Sequence, residues 1–141
     1  MAEFTDAALQ TVANGQNVVF TETPVSPSRC IVHRDGSGVV TLRGLTNCQS
    51  RARFRVSFGA NIAIPDGGAV GAISVALAIA GEPLPASTAI VTPAATEQFF
   101  NVSVDTFIDV PAGCCTTVAV ENTSGAAINV QNANLIVTRE S

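Results

Sequence analysis

Two adjacent cysteines, Cys114 and Cys115, are the residues of this 141-residue chain whose type first suggests chemistry. Neighbouring side chains of a β-strand point to opposite faces, so the two thiols cannot easily bind one metal ion. A vicinal disulfide would need a strained turn after the Pro-Ala-Gly at 111–113. We therefore predict that one thiol packs as a small hydrophobe and that the other lies nearer the surface.

The remaining cysteines, Cys30 and Cys48, flank a hairpin predicted at Asp35-Gly36 and could approach each other. They form the one candidate disulfide, which would require an oxidising compartment. The four cysteines lack the C-x-x-C spacing of a structural zinc site. We therefore predict no metal and no cofactor.

His33 is the only histidine, and with Asp35 nearby it could be half of a Cys-His or Ser-His catalytic site. No G-x-S-x-G motif and no second histidine supports that interpretation. Asp105 and Asp109 would share one face of a strand about 13 Å apart, too far for paired glycosidase carboxylates. We predict a surface histidine on a hairpin and a protein that is not an enzyme.

All seven basic residues are arginines, and six of them lie between positions 29 and 55. In the stretch RARFRVSF, Arg51, Arg53 and Arg55 alternate with apolar residues and so share one strand face. These arginines could form a solvated face, bind carboxylates of a neighbouring subunit, or contact a polyanion such as nucleic acid or an acidic glycan. The sequence leaves these three interpretations open.

The composition is unusually poor in charge: 13% of residues are charged and 47% are hydrophobic, against about 25% charged in ordinary domains. Such a chain exposes much uncharged surface, so we expect a partner to cover part of it. The net charge of −4 gives no general attraction to nucleic acid. The N-terminus lacks a signal-peptide pattern, and the longest apolar stretch, 69–81, is too short to span a membrane. We expect a protein made in the cytoplasm without a signal peptide.

Short runs of strand-forming residues recur between turn residues, and only AALQTVA near the start could form a short helix. The pattern predicts one antiparallel β-sandwich or barrel. In the run 70–80 both faces are apolar, one bulky and one small, which predicts burial on both sides by this chain or a neighbouring subunit. The predicted strands are 17–21, 29–34, 39–43, 51–64, 70–80, 89–92, 99–110, 116–121 and 128–139.

The run FFNVSVDTFIDVPAGCCTTVAVENTSGAAINVQNANLIVTRE resembles the last strands of tumour-necrosis-factor-like and complement-globular-head-like jelly rolls, of the bacterial or phage type. The resemblance extends over residues 39–139. It implies an antiparallel jelly-roll sandwich of about ten strands that assembles as a tight homotrimer. The apolar positions of the pattern are Val118, Val120, Ile128, Val130, Leu135, Ile136 and Val137.

The leading hypothesis is a non-enzymatic structural protein whose homotrimer decorates a phage virion, as a head-decoration or fibre protein. Residues 25–141 would form the jelly roll, and residues 1–24 an N-terminal arm or edge strand that docks on a larger assembly such as a capsid. The alternative is a trimeric receptor- or glycan-binding module on a phage tail or bacterial surface, with the loops GEPLPAST and IPDGG at one end. A virion surface, or a bacterial surface under the alternative, is the expected location.

Overall fold

The computed structural model describes residues 2–25, 30–43, 51–111 and 115–140, and of Arg51 it describes only the backbone. Within these residues the chain forms twelve β-strands and one short 3-10 helix, Pro85–Ser87. None of the described helices is long and apolar enough to cross a membrane. The strands are β1 (Ala2–Asp6), β2 (Gln10–Val12), β3 (Glu22–Val25), β4 (Ile31–His33), β5 (Val39–Arg43), β6 (Arg51–Ala63), β7 (Ile73–Ile79), β8 (Glu82–Pro83), β9 (Ala89–Val91), β10 (Phe100–Pro111), β11 (Cys115–Asn122) and β12 (Ile128–Arg139).

The strands form two antiparallel sheets. Sheet A has the order β10-β6-β12-β1-β3, with β2 also paired to β12. Sheet B has the order β4-β5-β11-β7-β8, with β9 also paired to β7. The predicted all-β antiparallel sandwich is therefore confirmed. β10 lies at one edge of sheet A and pairs with β6 along its whole length.

Alternation along the strands fills the space between the sheets, as the sequence predicts for RARFRVSF. Ala52, Phe54, Val56 and Phe58 of β6 are all buried in one hydrophobic core. In β7 the bulky residues Ile73, Val75 and Leu77 join the same core. Ala76 and Ala78, on the small face of β7, are buried as well. Both faces of β7 are thus covered within one chain.

The hairpin predicted at Asp35-Gly36 joins β4 to β5, which pair antiparallel. Gly36 has a φ of +88°, a left-handed conformation that glycine adopts without steric cost. This turn brings Ser37 to Phe20, whose backbone N–H donates to the Ser37 carbonyl at 3.2 Å. The segment predicted as a strand at 17–21 contributes only isolated bridges, at Asn17 and Phe20.

The N-terminal residues, expected to form an arm or edge strand, contribute β1, β2 and β3 to sheet A, and β3 lies at its edge. β1 is an inner strand, paired to β12 on one side and β3 on the other, and Phe4 is fully buried. β3 spans positions 24 and 25, where the boundary between arm and jelly roll was expected. AALQTVA contains β2, not a helix, and Val12 from it is buried in the core. These residues complete sheet A because their apolar side chains fill its inner face.

Candidate functional site

The strands β10, β6 and β12 lie side by side and present one broad surface to solvent. Phe54 and Val56 of β6, and Leu135 and Val137 of β12, point into the core, so the residues that alternate with them point outward. We call this surface the outer face of sheet A. Its central members are Asp105, Phe107, Asp109, Arg53, Arg55, Ser57, Ile136 and Thr138.

Arg53 and Arg55 each form an ion pair with an aspartate of β10. The Arg53 Nε donates to Asp109 Oδ1 at 2.8 Å and its Nη2 donates to Asp109 Oδ2 at 3.2 Å. Arg55 Nη2 donates to Asp105 Oδ2 at 2.6 Å, and its Nε lies 3.2 and 3.1 Å from the two Asp105 oxygens. The second pair is diagonal, because the residue directly opposite Arg55 is Phe107.

These contacts shift the titration of the paired groups. Hydrogen bonds from Arg55 hold the pKa of the Asp105 carboxyl below its usual value, with smaller help from Ser57. Hydrogen bonding and attraction to Asp109 raise the pKa of Arg53, and Asp105 has the same effect on the pKa of Arg55. All four side chains are between 41% and 53% exposed, so each pair is worth little to the stability of the monomer.

The arginine face predicted from the sequence is therefore partly neutralised within one chain. The Arg51 side chain lies outside the described residues, and its contacts stay a prediction. Arg53 and Arg55 bind carboxylates, as the subunit-contact interpretation expects of a guanidinium, but the acids belong to the same chain. Whether this face also contacts a second subunit or an anion stays a prediction.

Phe107 lies between the two aspartates along β10 and is 61% exposed. It is the most exposed phenylalanine among the described residues. Beside it on the same face is a groove of about 380 Å³ lined by Arg55, Ser57, Ile136, Thr138 and Glu140. The groove combines an apolar side chain, two hydroxyls, a guanidinium and a carboxylate.

Within the described part of the chain, His33 hydrogen-bonds to no other side chain. Its Nε2 lies 2.8 Å from the Ser37 carbonyl oxygen, and its ring packs on Phe4 with centroids 4.5 Å apart. Its buried Nδ1 has no hydrogen-bond partner among the described residues. The Asp35 carboxylate accepts a hydrogen bond from the Thr23 hydroxyl at 2.9 Å. The predicted surface histidine is thus half-buried and turned toward the core.

The cysteines are only partly described. Cys115 begins β11 as an exposed free thiol, and Cys114 lies outside the described residues. Cys30 is a half-buried free thiol whose Sγ accepts from Arg139 Nη1 at 3.1 Å. Cys48 lies outside the described residues, so the Cys30–Cys48 disulfide stays a prediction.

The two loops that the binding-module hypothesis places at one end precede and follow β7 along the chain. IPDGG, residues 64–68, precedes the start of β7 at Ile73. GEPLPAST, residues 81–88, follows the end of β7 at Ile79. GEPLPAST turns back along β7, since Glu82 and Pro83 pair with Ile79 and Ala78 and the Leu77 N–H donates to Ser87 Oγ at 3.1 Å. Whether the two loops share one end of an assembly stays a prediction.

Sequence reasoning identified the arginines but not their partners, nor Phe107. The sequence did contain two indications. Asp105 and Asp109 alternate with apolar residues, as the arginines do, and Phe107 lies between the two aspartates at the spacing that puts all three side chains on one strand face. What the sequence does not contain is the register that sets Asp109 against Arg53. That register depends on two strands about fifty residues apart in the chain.

Comparison with known proteins identifies the fold. No family model and no curated protein matches the chain. The globular domain of a zebrafish complement 1qA protein superposes with a TM-score of 0.54 at 12% identity, covering 96% of this chain and 94% of that one. Two further structures match at lower TM-scores. The C-terminal domain of EclA, a sugar-binding protein, gives 0.40 at 16% identity, covering 94% of this chain and 80% of its own. A family 35 carbohydrate-binding module from an environmental isolate gives 0.37 at 13% identity, covering 100% and 98%.

The similarity to the complement domain extends over nearly the whole of both chains. At 12% identity it establishes the fold and not a shared activity. The two antiparallel sheets of this chain are consistent with a jelly-roll sandwich. The chain therefore has the jelly-roll sandwich fold seen in complement globular domains.

Proposed function

We propose that this chain is a non-enzymatic structural protein that assembles as a homotrimer through the outer face of sheet A and decorates a phage virion. The observation that carries the proposal is Phe107, a largely exposed aromatic side chain set between two arginine–aspartate pairs. Aromatic residues and arginine are enriched in the centres of protein interfaces.

The composition of this face favours contact with another protein. Full burial of a phenylalanine contributes about 1.5–3 kcal/mol, a gain that the isolated chain does not realise at Phe107. Burying an unpaired charge is costly, but Arg53 and Arg55 already bind aspartates. A partner could therefore cover this face without leaving those charges unpaired. The low overall charge of 13% supports a surface that is partly covered.

The number of subunits and the virion setting rest on the resemblance of residues 39–139 to trimeric jelly rolls of the bacterial or phage type. The jelly-roll fold supports that resemblance, and the exposure of Phe107 on the edge strand β10 supports a role in subunit contact. The contacts of His33 with Phe4 and Ser37 support a structural role over a catalytic one.

The virion assignment is tested on purified phage particles from a culture of the organism that encodes the chain. Quantitative mass spectrometry should find the protein in a fixed ratio to the major capsid or tail protein. The protein should remain bound to the particles during density-gradient centrifugation. Particles that form normally and contain none of the chain would overturn the virion assignment and leave the homotrimer to be judged separately.

The alternative, a trimeric receptor- or glycan-binding module, draws support from the groove, whose hydroxyl, carboxylate and guanidinium groups could hydrogen-bond a sugar. If the homotrimer covers the outer face of sheet A, this groove is buried, so the two functions compete for one surface. A glycan array probed with the assembled protein separates them. Binding that disappears in a Thr138→Ala variant would favour the alternative.

A further inference from the structure

We infer that Phe107 of one subunit inserts into the groove of the next subunit, between Arg55 and the β12 residues Ile136 and Thr138. This inference rests on the proposed homotrimer and names the residues that join its subunits. It commits the groove to one occupant, the aromatic ring of a second copy of this chain.

The first argument is the position of the ring. Phe107 lies on β10, at the edge of sheet A, directly opposite Arg55 in the register with β6. The aspartates that precede and follow it on the same face are drawn to Arg55 and Arg53. Phe107 does not line the groove of its own chain. The ring is therefore left exposed at the edge while the polar side chains around it are engaged.

The second argument is the chemistry of the groove. Ile136 supplies an apolar contact, and the Arg55 guanidinium is held in place by its hydrogen bonds to Asp105. A planar guanidinium suits the face of an aromatic ring. The edge of the ring is its positive part, so the Glu140 carboxylate that lines the groove also favours an aromatic occupant. A volume of about 380 Å³ admits one such ring.

The third argument is the geometry of assembly. The ring lies on β10, and the groove lies between β6 and β12 of the same face. Because ring and groove are different parts of the surface, each subunit can offer its ring to one neighbour and its groove to another, which is a heterologous contact. Repeated heterologous contacts produce a closed ring when the rotation between subunits closes. A homotrimer is one such ring.

Photo-crosslinking from position 107 tests this contact. p-Benzoyl-L-phenylalanine is introduced in place of Phe107, the protein is irradiated, and covalent dimers are isolated on a denaturing gel. Cleavage after glutamate separates a peptide containing residue 107 (98–121) from one containing the β12 side of the groove (122–140). We expect the isolated dimer to join these two peptides, with attachment at Ile136 or Thr138.

The outcomes separate the inference from the proposed function. Light scattering of the variant before irradiation shows whether it is oligomeric. An oligomer whose dimers are joined elsewhere overturns the ring-in-groove contact and leaves the homotrimer standing. A wild-type protein that is monomeric overturns the homotrimer, and with it this inference.

Truncation of the ring gives an independent measure. Phe107→Ala should weaken subunit association at least about tenfold in dissociation constant, the loss expected for an interface hot spot. Ile90→Ala is the matched control, since Ile90 is 65% exposed on β9 of the other sheet and should leave association unchanged. Circular dichroism should show both variants folded. An unchanged dissociation constant for Phe107→Ala would contradict the inference.

Discussion

Arg53 of β6 and Asp109 of β10 stand directly opposite each other and are joined by two hydrogen bonds of 2.8 and 3.2 Å. This ion pair links β6 to the edge strand β10 across the outer face of sheet A. It also neutralises two charges on the surface that we assign to subunit contact. A guanidinium and a carboxylate matched in this way can be covered by a partner at lower cost than either group alone.

Exchanging the charges of Arg53 and Asp109 should show whether assembly depends on the ion pair itself or on the individual residues. Arg53→Asp places two carboxylates opposite each other, so we expect weaker assembly and a Tm lowered by roughly 2–4 °C. The double variant Arg53→Asp with Asp109→Arg restores opposite charges and should recover most of both losses. Light scattering and thermal unfolding measure the two effects. A double variant as impaired as the single one would contradict the role of the pair.

The Asp105 carboxyl should make stability depend on pH in the acid range. Its pKa is lowered in the folded protein, chiefly by hydrogen bonds from Arg55, so the folded state favours the ionised form. The contribution is therefore present above the ordinary carboxyl pKa and is lost as pH falls through the lower folded value. Asp105→Asn should flatten the stability profile between about pH 5 and pH 2. Urea unfolding at each pH is the measurement, with Asp66→Asn as the control. Equal slopes for wild type and Asp105→Asn would contradict this account.

Phe4 tests whether the N-terminal strand belongs to the fold. The side chain is fully buried on an inner strand, so Phe4→Ala should lower the free energy of unfolding by about 3–5 kcal/mol. Leu9, exposed between β1 and β2, offers a nearby control whose change to Ala should have little effect. Chemical denaturation compares the two. A Phe4→Ala protein as stable as the Leu9→Ala protein would indicate that these residues form a detachable arm.

Asn122 should be sensitive to the loss of its amide. It is fully buried, and its Nδ2 donates to the Val12 and Ala126 carbonyls at 2.9 and 2.8 Å. Its Oδ1 accepts the Ser124 N–H at 2.9 Å. Asn122→Ala leaves buried polar groups unpaired, at about 1–3 kcal/mol for each one that water cannot reach. Urea unfolding should show a clear loss of stability, while Asn101→Ala on the exposed face should show little.

Much of the sandwich could be predicted because the alternation of polar and apolar residues along a strand can be recognised from a few neighbouring residues. RARFRVSF states which side of β6 faces the core, and the Asp-Gly pair at 35–36 marks the turn between β4 and β5. The inner position of β1 was not predicted, because the inward-facing residues of this strand include Asp6. This acid is buried only because the Ala8 N–H, the Gln10 side chain and the Thr21 hydroxyl donate to it. A short strand with a buried acid lacks the apolar periodicity that identifies a strand.

The candidate site was less accessible to sequence reasoning because it depends on how distant strands align. The arginines and the two aspartates, Asp105 and Asp109, are visible in the sequence, but the sequence does not show which arginine lies beside which aspartate. The pairing of β10 with β6 gives each aspartate an arginine and leaves Phe107 exposed between them.

The central claim is self-association of this chain as a homotrimer, and its molar mass in solution tests it most directly. Size-exclusion chromatography with multi-angle light scattering should give 3 × 14.4 kDa = 43.2 kDa over a range of concentrations. The same mass with and without reductant would show that the cysteines do not hold the subunits together. A mass of 14.4 kDa at every concentration would contradict the account.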